Sequence, residues 1–528
     1  MRKAIFVLLA VLCLLTSCSG GGDSASQEAT ASADFVYDGN GPITDLEGQT
    51  LSVLAQNSYY TTVDLRSAEI VKRVQEGANV TIDWTLVDPV NYIDAVSPML
   101  ASGVDLPDII LMPNLDENQS YITSGMVEPL DEHFDVMPNF SAWLDANPTI
   151  KASLTASDGH IYYVPTTNVT ANYQPVIMYN MKWLSDAGLE MPTTLDEFVE
   201  MLRYYKSHDM NGNGELDEVP LSVQDEYLMY MFGPAFGLNF ISTEGSGFFV
   251  NDDGVVQYAQ ATPEYKEYLS FLHDLYTEGL LEIEYTTLTR DQIIERFAQD
   301  RAGVTFDFSW QMSMTYSPQL PYYDGTPETG VVGGVPLSGP HEGFFIGRNA
   351  IGSIFGVNAS SDKIELACKW LDYAMSEANQ VMYCWGIEGL SYVEDENGNR
   401  TFTEQASDNT WLQGLGINPA QVLPAHQSVE STDALVPAWH AEVDKMQAQY
   451  IQDPWPFIYA TEEESMTASM YMVDIQTYVN EMAVSFVTGT TPLSEYDAYL
   501  DALDRMNLPE MLEIRTAQYE RFSNALEN

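Results

Sequence analysis

Between residues 50 and 112 the chain reads strand, helix, strand, helix, strand, and this alternation restricts its folding more than any other stretch. "QTLSVLAQNSYY" alternates apolar and polar side chains and ends in a polar and aromatic loop, Asn57 to Tyr60. A helical spacing follows through Leu65, Ile70, Val71 and Val74, then strand-like "NVTIDWTLV", then "LPDIILM", an apolar run of the buried parallel-strand type. The pattern predicts an α/β layer whose ligands sit in loops beyond the strand ends. At 528 residues the chain exceeds one ordinary core, so two or more lobes are expected.

Further along, "VPTTNVTANYQPVIMYN" (164–180) is β-rich and interrupted by Pro165 and Pro175, as suits a strand crossing between lobes. The chain then turns largely helical. Thr194 and Glu197 predict a capping box ahead of the stripe Leu195, Phe198, Val199, Leu202. Thr262 and Pro263 open a second helix that stops at Gly279. "LSEYDAYLDALDRMNL" and "MLEIRTAQYERFSNAL" predict two more near the end.

The formal charge is -56, from 77 acidic and 21 basic residues, a field that repels phosphate backbones and argues against nucleic acid as a partner. At the N-terminus, Arg2 and Lys3 precede the apolar run 4–15. Twelve helical residues span roughly 18 Å, short of a bilayer core of roughly 30 Å, so residues 1–17 read as a signal peptide. "LTSC", Leu15 to Cys18, resembles the bacterial lipobox, which makes Cys18 the expected lipidation site and residues 18–44 its Gly/Ser-containing flexible linker. The expected location is therefore the outer face of the cell membrane, held through lipid alone. Cys368 and Cys384 form either one disulfide or two buried free thiols; spacing does not decide between them.

"DMNGNGELDE" puts side-chain oxygens at alternate positions, Asp209, Asn211, Asn213, Glu215 and Asp217, with Gly214 where an EF-hand loop makes its sharp turn. Glu215 offers its backbone carbonyl. Position 12 is Pro220, which supplies no carboxylate, so Glu218 or a distant group must close the cage. Oxygen-only donors favour Ca²⁺ in a structural role.

Signatures of catalysis are missing: there is no G-x-S-x-G, H-E-x-x-H, Walker loop or strand-borne G-x-G-x-x-G, and the seven histidines follow no ligand spacing. The chain reads as a non-enzyme.

Taken together, the lipobox, "LPDIIL", "SGMVEPLDE", "DGHIYYVPT", "VIMYN", "TTLDEF", "DMNGNGELDEVP" and "WGIEGLSY" resemble the family 1 extracellular solute-binding proteins, the large lipoprotein type serving ABC importers of complex sugars. The resemblance implies a two-lobe, type II periplasmic-binding-protein-like α/β fold with hinge strands and a helical C-terminal region. It implies an N-lobe of 45–168 plus 340–400 and a C-lobe of 169–331 plus 401–528, with crossings at 164–175 and 331–340. It further implies an oligosaccharide held in the cleft by a monomer that hands its cargo to an ABC permease, and a calcium loop of Asp209, Asn211, Asn213, Glu215, Asp217 and Glu218. "FDFSWQM" resembles the segment whose tryptophan stacks on sugar, nominating Trp310 and Asp307; Trp385 lies where relatives bring a loop to the cleft. Asn57, Tyr59, Tyr60 and Asn114 follow strand ends and Tyr173 lies on the crossing strand, completing the candidate ligand set. A surface glycan-degrading enzyme, or the same fold with a peptide or other small polar cargo, are the alternative readings.

Overall fold

The structure is a computed structural model that describes residues 35–57, 63–112, 119–168, 175–239, 247–251 and 253–527. Cys18, Tyr59, Tyr60, Asn114 and Tyr173, named above, lie outside the described residues.

The alternation at the start builds what it predicts. Strands β1 (Thr50–Gln56), β2 (Thr81–Val87), β3 (Ile109–Leu111) and β4 (Tyr163–Thr167) belong to one sheet, in which β2 and β3 run parallel to β1. β3 is buried at all three residues, as its unbroken apolar run requires of a central strand; β2, at the edge, alternates buried Ile82 with exposed Thr81 and Asp83.

A second sheet takes over with β5 (Pro175–Asn180) and β6 (Val219–Leu221). After the hairpin β7 (Phe248–Val250) and β8 (Val256–Tyr258) come β9 (Ala302–Phe308) and β10 (Val331–Gly333), giving the order β10-β5-β9-β6. β11 (Phe345–Ile346) leads back to β12 (Ile351–Val357), which inserts antiparallel between β3 and β4 and completes a first sheet ordered β2-β1-β3-β12-β4. The hairpin β13 (Tyr392–Glu394) and β14 (Arg400–Phe402) follows, and β15 (Ile451–Gln452) pairs parallel with β11.

Each sheet carries its own core. Leu51, Val53, Ile110, Tyr163 and Phe355 centre the first; Ile177, Trp183, Phe198, Leu272 and Phe306 centre the second. The helix Leu195–Ser207 is capped as predicted, with Thr194 Oγ1 accepting from Glu197 N at 3.3 Å and Glu197 Oε2 accepting from Thr194 N at 3.3 Å. The helix Pro263–Thr277 has its expected Thr262 cap, and the chain leaves it through Gly279 at φ +64°.

Three expected boundaries move. β10 pairs with β5 inside the second sheet, and Leu337 and Phe345 stay in the second core, so the passage back to the first lobe runs through 346–351 rather than 331–340. Residues 406–425 belong to the first lobe, not the second, because Leu412, Ile417, Val422 and Leu423 find their apolar partners in the first core. The linker ends sooner than residue 44. Asp372 accepts hydrogen bonds from Tyr37 Oη at 2.7 Å, Asn139 Nδ2 at 2.9 Å and Phe140 N at 2.8 Å, and Ile43 is 1% exposed, so residues 37–44 form a strap bound to the first lobe.

Trp455 and Ile458 pack in the second core while Phe457 and Tyr459 pack in the first, so this segment lies along the boundary between the lobes. Cys368 and Cys384 are buried free thiols, the second of the two alternatives.

Candidate functional site

The register of the second sheet locates the edge that matters. β6 and β9 run parallel, Leu221 opposite Val304, so the chain after β6 and the chain after β9 leave the sheet at the same end. β5 enters from the crossing at that end too, with Pro175 opposite Phe308. Loops at the carboxyl ends of parallel strands are where an α/β sheet exposes backbone and side chains to a ligand.

At the end of β9 stand Phe308 and, two residues on, half-buried Trp310. Beneath them Asp307, 1% exposed, accepts from Arg290 Nε at 2.7 Å and Nη2 at 2.9 Å, from Tyr316 Oη at 2.7 Å and from Phe308 N at 2.8 Å. The proposed ligand role of Asp307 is thereby corrected. Both its oxygens are engaged in a bidentate ion pair, a geometry that fixes direction as well as charge, and its part is to hold the Phe308 turn. Arg290 Nη2 also donates to Tyr227 Oη at 3.2 Å, and the Tyr227 ring meets those of Phe306 and Phe308 at 6.2 and 6.1 Å. From the crossing segment, the exposed Arg348 guanidinium lies 5.2 Å from the Phe308 ring centroid. Tyr227, Arg290 and Arg348 were not anticipated. Tyr227 had a usable signal, its position just beyond "VPLSV" at a strand end; Arg348 had none short of the register.

Trp385 is also corrected. It is 2% exposed, with the Phe402 ring at 4.7 Å and Tyr392 at 6.1 Å, a small core of its own that leaves no face for a sugar. Asn57 closes its own loop, with Oδ1 accepting from Leu65 N at 3.2 Å and Nδ2 donating to the Val63 carbonyl at 3.3 Å.

Behind the Trp310 turn runs the helix Ala438–Ala448, whose His440, Asp444 and Gln447 are 0–2% exposed. Ser313 Oγ lies 2.6 Å from His440 Nδ1, and His440 Nε2 lies 3.4 Å from Asp444 Oδ2. Serine, histidine and aspartate in this order suggest a hydrolytic triad, but a nucleophile must meet substrate, and Ser313 is 9% exposed beside a fully buried imidazole. Burial holds the His440 imidazole down to about 4 and pushes the Asp444 carboxyl up to about 8. Among the described residues, His440 Nε2, Asp444 Oδ1, Gln447 Oε1 and Gln311 Oε1 are buried atoms without a hydrogen-bond partner.

The acidic loop 209–218 is wound on its own oxygens. Asp209 Oδ1 accepts from Asn213 N at 3.0 Å and Oδ2 from Gly214 N at 2.7 Å; Asn213 Oδ1 accepts from Glu215 N at 2.7 Å. Gly212 and Gly214 take φ of +72° and +90° with open space around them, so backbone conformation rather than crowding demands glycine. Arg301 Nε reaches Asp217 Oδ2 at 2.8 Å and ties the loop to the start of β9. Among the described residues no group of three His, Cys, Asp or Glu is gathered for a metal, so a cation here would rely on amide oxygens as well as carboxylates. The donor set fits a hard cation. Glu218 Oε1 accepts from Met210 N at 2.7 Å, while its buried Oε2 has no hydrogen-bond partner among the described residues; Pro220, buried in β6, offers no carboxylate.

The sequence profile of the family described as bacterial extracellular solute-binding protein matches residues 66–381. FusA of Streptococcus pneumoniae serotype 4, a fructooligosaccharide ABC transporter substrate-binding protein, is 25% identical over 562 aligned positions, 98% of each chain. An extracellular solute-binding protein from Bifidobacterium longum subsp. infantis superposes with a TM-score of 0.76 at 21% identity, covering 93% of this chain and all of that one. An EF-hand mutant of S. pneumoniae FusA in complex with fructo-nystose superposes at 0.72 and 23% identity, over 90% of this chain and all of that one. These likenesses establish the fold: two α/β lobes of the type II binding-protein class.

Proposed function

The chain belongs to the bacterial extracellular solute-binding proteins, and on that footing we propose that it captures an oligosaccharide in the cleft between its lobes and delivers it to an ABC permease. The observation that carries this reading is the β9 edge. Half-buried Trp310 stands two residues beyond Phe308, and the Phe308 ring is flanked by Tyr227 and by Arg348 from the crossing segment. A pyranose or furanose offers an apolar face and a rim of hydroxyls, and aromatic plates beside planar polar groups match both. The relationship to FusA, which binds fructooligosaccharides, supports a sugar over a peptide. Hinge closure over the cargo would report loading to the permease.

The protein carries no chemistry of its own in this reading, and Cys18 holds it as a monomer on the outer face of the membrane through lipid. A Ca²⁺ ion would be held by side-chain oxygens of Asp209, Asn211, Asn213, Asp217 and Glu218 and the backbone carbonyl of Glu215. Bound there, it would neutralise the loop's carboxylates and lock the entry to β6.

Ligand-observed NMR of the mature chain with a pool of neutral oligosaccharides, fructo-nystose included, in calcium buffer tests the reading. Broadened signals from one glycan, unchanged after a day and lost in Trp310→Ala, are expected. New product signals would make the protein an enzyme, and spectra flat for every sugar would remove the carbohydrate assignment. A Cys18→Ser chain that stayed with the membrane fraction would refute the anchor.

A further inference from the structure

The second lobe contains a cavity of about 550 Å³, inside the range of roughly 300–1,000 Å³ typical of small-molecule sites. It lies between the helix Pro263–Thr277 and the helix Glu462–Val487, beside the start of the helix Asp225–Phe232. Its walls hold Asp225, Tyr265, Tyr268, Tyr285, Gln476 and Asn480, and among the described residues none of these six side chains has a hydrogen-bond partner. Gln260, also on the wall, is 6% exposed and its Oε1 is a buried atom without a partner. Asp225 and Asn480 are exposed at the rim, while Gln260 and the three tyrosines are buried and Gln476 is half-buried. Buried polar groups are normally satisfied by protein or ordered water, so the inner wall of this hollow is a place where something other than the chain satisfies them.

The chemistry of the lining narrows the guest. Tyr265 and Tyr268 stack on each other at 5.6 Å and, with Tyr285, are 1–2% exposed, so their faces are covered and only the hydroxyl ends have room to meet the cavity. An organic cation seeks aromatic faces, and these are not offered. Asp225 lines the same cavity as the three tyrosines, and its charge adds to the larger effect of burial in raising each of their hydroxyls. Asp225 is exposed where it lines the cavity, yet enough protein surrounds its carboxyl to lift it to about 6, with Glu226 adding to the shift. One carboxylate accepting from two neighbouring hydroxyls, phenols that both donate and accept, and two amides make a set suited to a polyol.

We propose that this pocket is a second carbohydrate subsite, inside the second lobe and separate from the cleft, that takes one neutral sugar unit with Asp225 as its anchor. The proposal rests on the sugar reading above for its ligand class, and the test separates the two. Saturation-transfer NMR is run with a pool of glucose, galactose, mannose and fructose on the mature wild type, Asp225→Asn, Tyr268→Phe and Trp310→Ala. Calorimetry with the oligosaccharide that binds the wild type runs alongside. Transfer to one monosaccharide is expected in the wild type and in Trp310→Ala. It should weaken at least tenfold in Asp225→Asn and severalfold in Tyr268→Phe, with oligosaccharide affinity in the cleft unchanged by either. Tyr268→Phe removes a single oxygen and keeps the core, so it decides the matter even if Asp225→Asn folds poorly. Loss of all transfer in Trp310→Ala would overturn the pocket and leave the cleft standing. So would a wild type that binds the oligosaccharide but no monosaccharide. A wild type that binds no sugar of either size would overturn both readings.

Discussion

Buried carboxylates in the two lobes are treated differently. In the first lobe Asp372 and Asp108 use both oxygens. Asp372 takes three donors, and Asp108 accepts from Ser52 N at 2.7 Å, Ser52 Oγ at 2.8 Å and Ser361 Oγ at 2.6 Å. In the second lobe Asp307 is likewise saturated, but Asp444 and Glu218 each keep one buried oxygen without a partner among the described residues. The consequence shows in proton affinity. Burial raises Asp372 to about 6 against the pull of its donors, and raises Asp444 to about 8 with little but Ser309 to oppose it. Saturated carboxylates fasten pieces of chain together; half-used ones are available for a proton, a water or an ion.

The largest effect expected of this contrast is at Asp372. Asp372→Ala strands three donors at once and should cost about 3 kcal/mol of the first lobe's stability in urea unfolding; a loss under 1 kcal/mol would mean that the strap contributes little. Next comes Asp444. Its folded pKa lies above the unfolded value of about 3.9, so the stability of its neutral form is whole below pH 4 and lost as pH rises to about 8. Between pH 6.5 and 8 the His440 imidazole, at about 4, is already neutral, and Asp433 is the neighbouring charge that adds to the rise; the tails of Asp372 and Asp225, both at about 6, are shared by the two chains and cancel in their comparison. Across that window the wild type should lose about 2 kcal/mol relative to Asp444→Asn, at about 1.4 kcal/mol per pH unit. Parallel stability curves for the two chains would refute the contrast.

Asp108 should behave oppositely and more weakly. Burial works against its charge, but hydrogen bonds from Ser361 and Ser52 with help from Lys363 leave the carboxyl below its ordinary range. Its stabilisation is present above pH 4 and fades below, so Asp108→Asn should cost about 1–2 kcal/mol at pH 7 and less at pH 3. The smallest effect belongs to Glu218. Chelation should lower the melting temperature by about 2–4 °C, or about 1 kcal/mol, and Glu218→Gln should remove most of that dependence. A wild type indifferent to chelator would end the calcium proposal.

What was legible in the sequence was local. The Thr194 and Thr262 caps, the first sheet's opening strands and the glycines of the acidic loop depend on residues within a few positions of one another, and pattern reading reaches that far. The second crossing was misplaced because "VVGGVPLSG" has strand character that says nothing about which sheet accepts it; pairing with β5, some 150 positions earlier, decides that. Trp310 and Trp385 look alike in sequence, and only the hairpin β13–β14 folding over Trp385 tells them apart. The helix Glu462–Val487 escaped notice because Met466, Met470 and Val473 face outward at 64–65% exposure and blur the polar stripe.

The strap of residues 37–44 decides where any anchor at Cys18 takes hold: on the first lobe, beside Asp372. From Cys18 to Tyr37 there are about 19 residues, which reach at most about 65 Å. A body confined to a hemisphere of that radius is present at the membrane at an effective concentration on the order of millimolar. A permease sharing that membrane would then need only a weak grip on the loaded protein, a Kd near 10⁻³–10⁻⁴ M on this order-of-magnitude scale, to be occupied much of the time. Release after delivery would be correspondingly fast, with the first lobe on its tether and the second free to swing open.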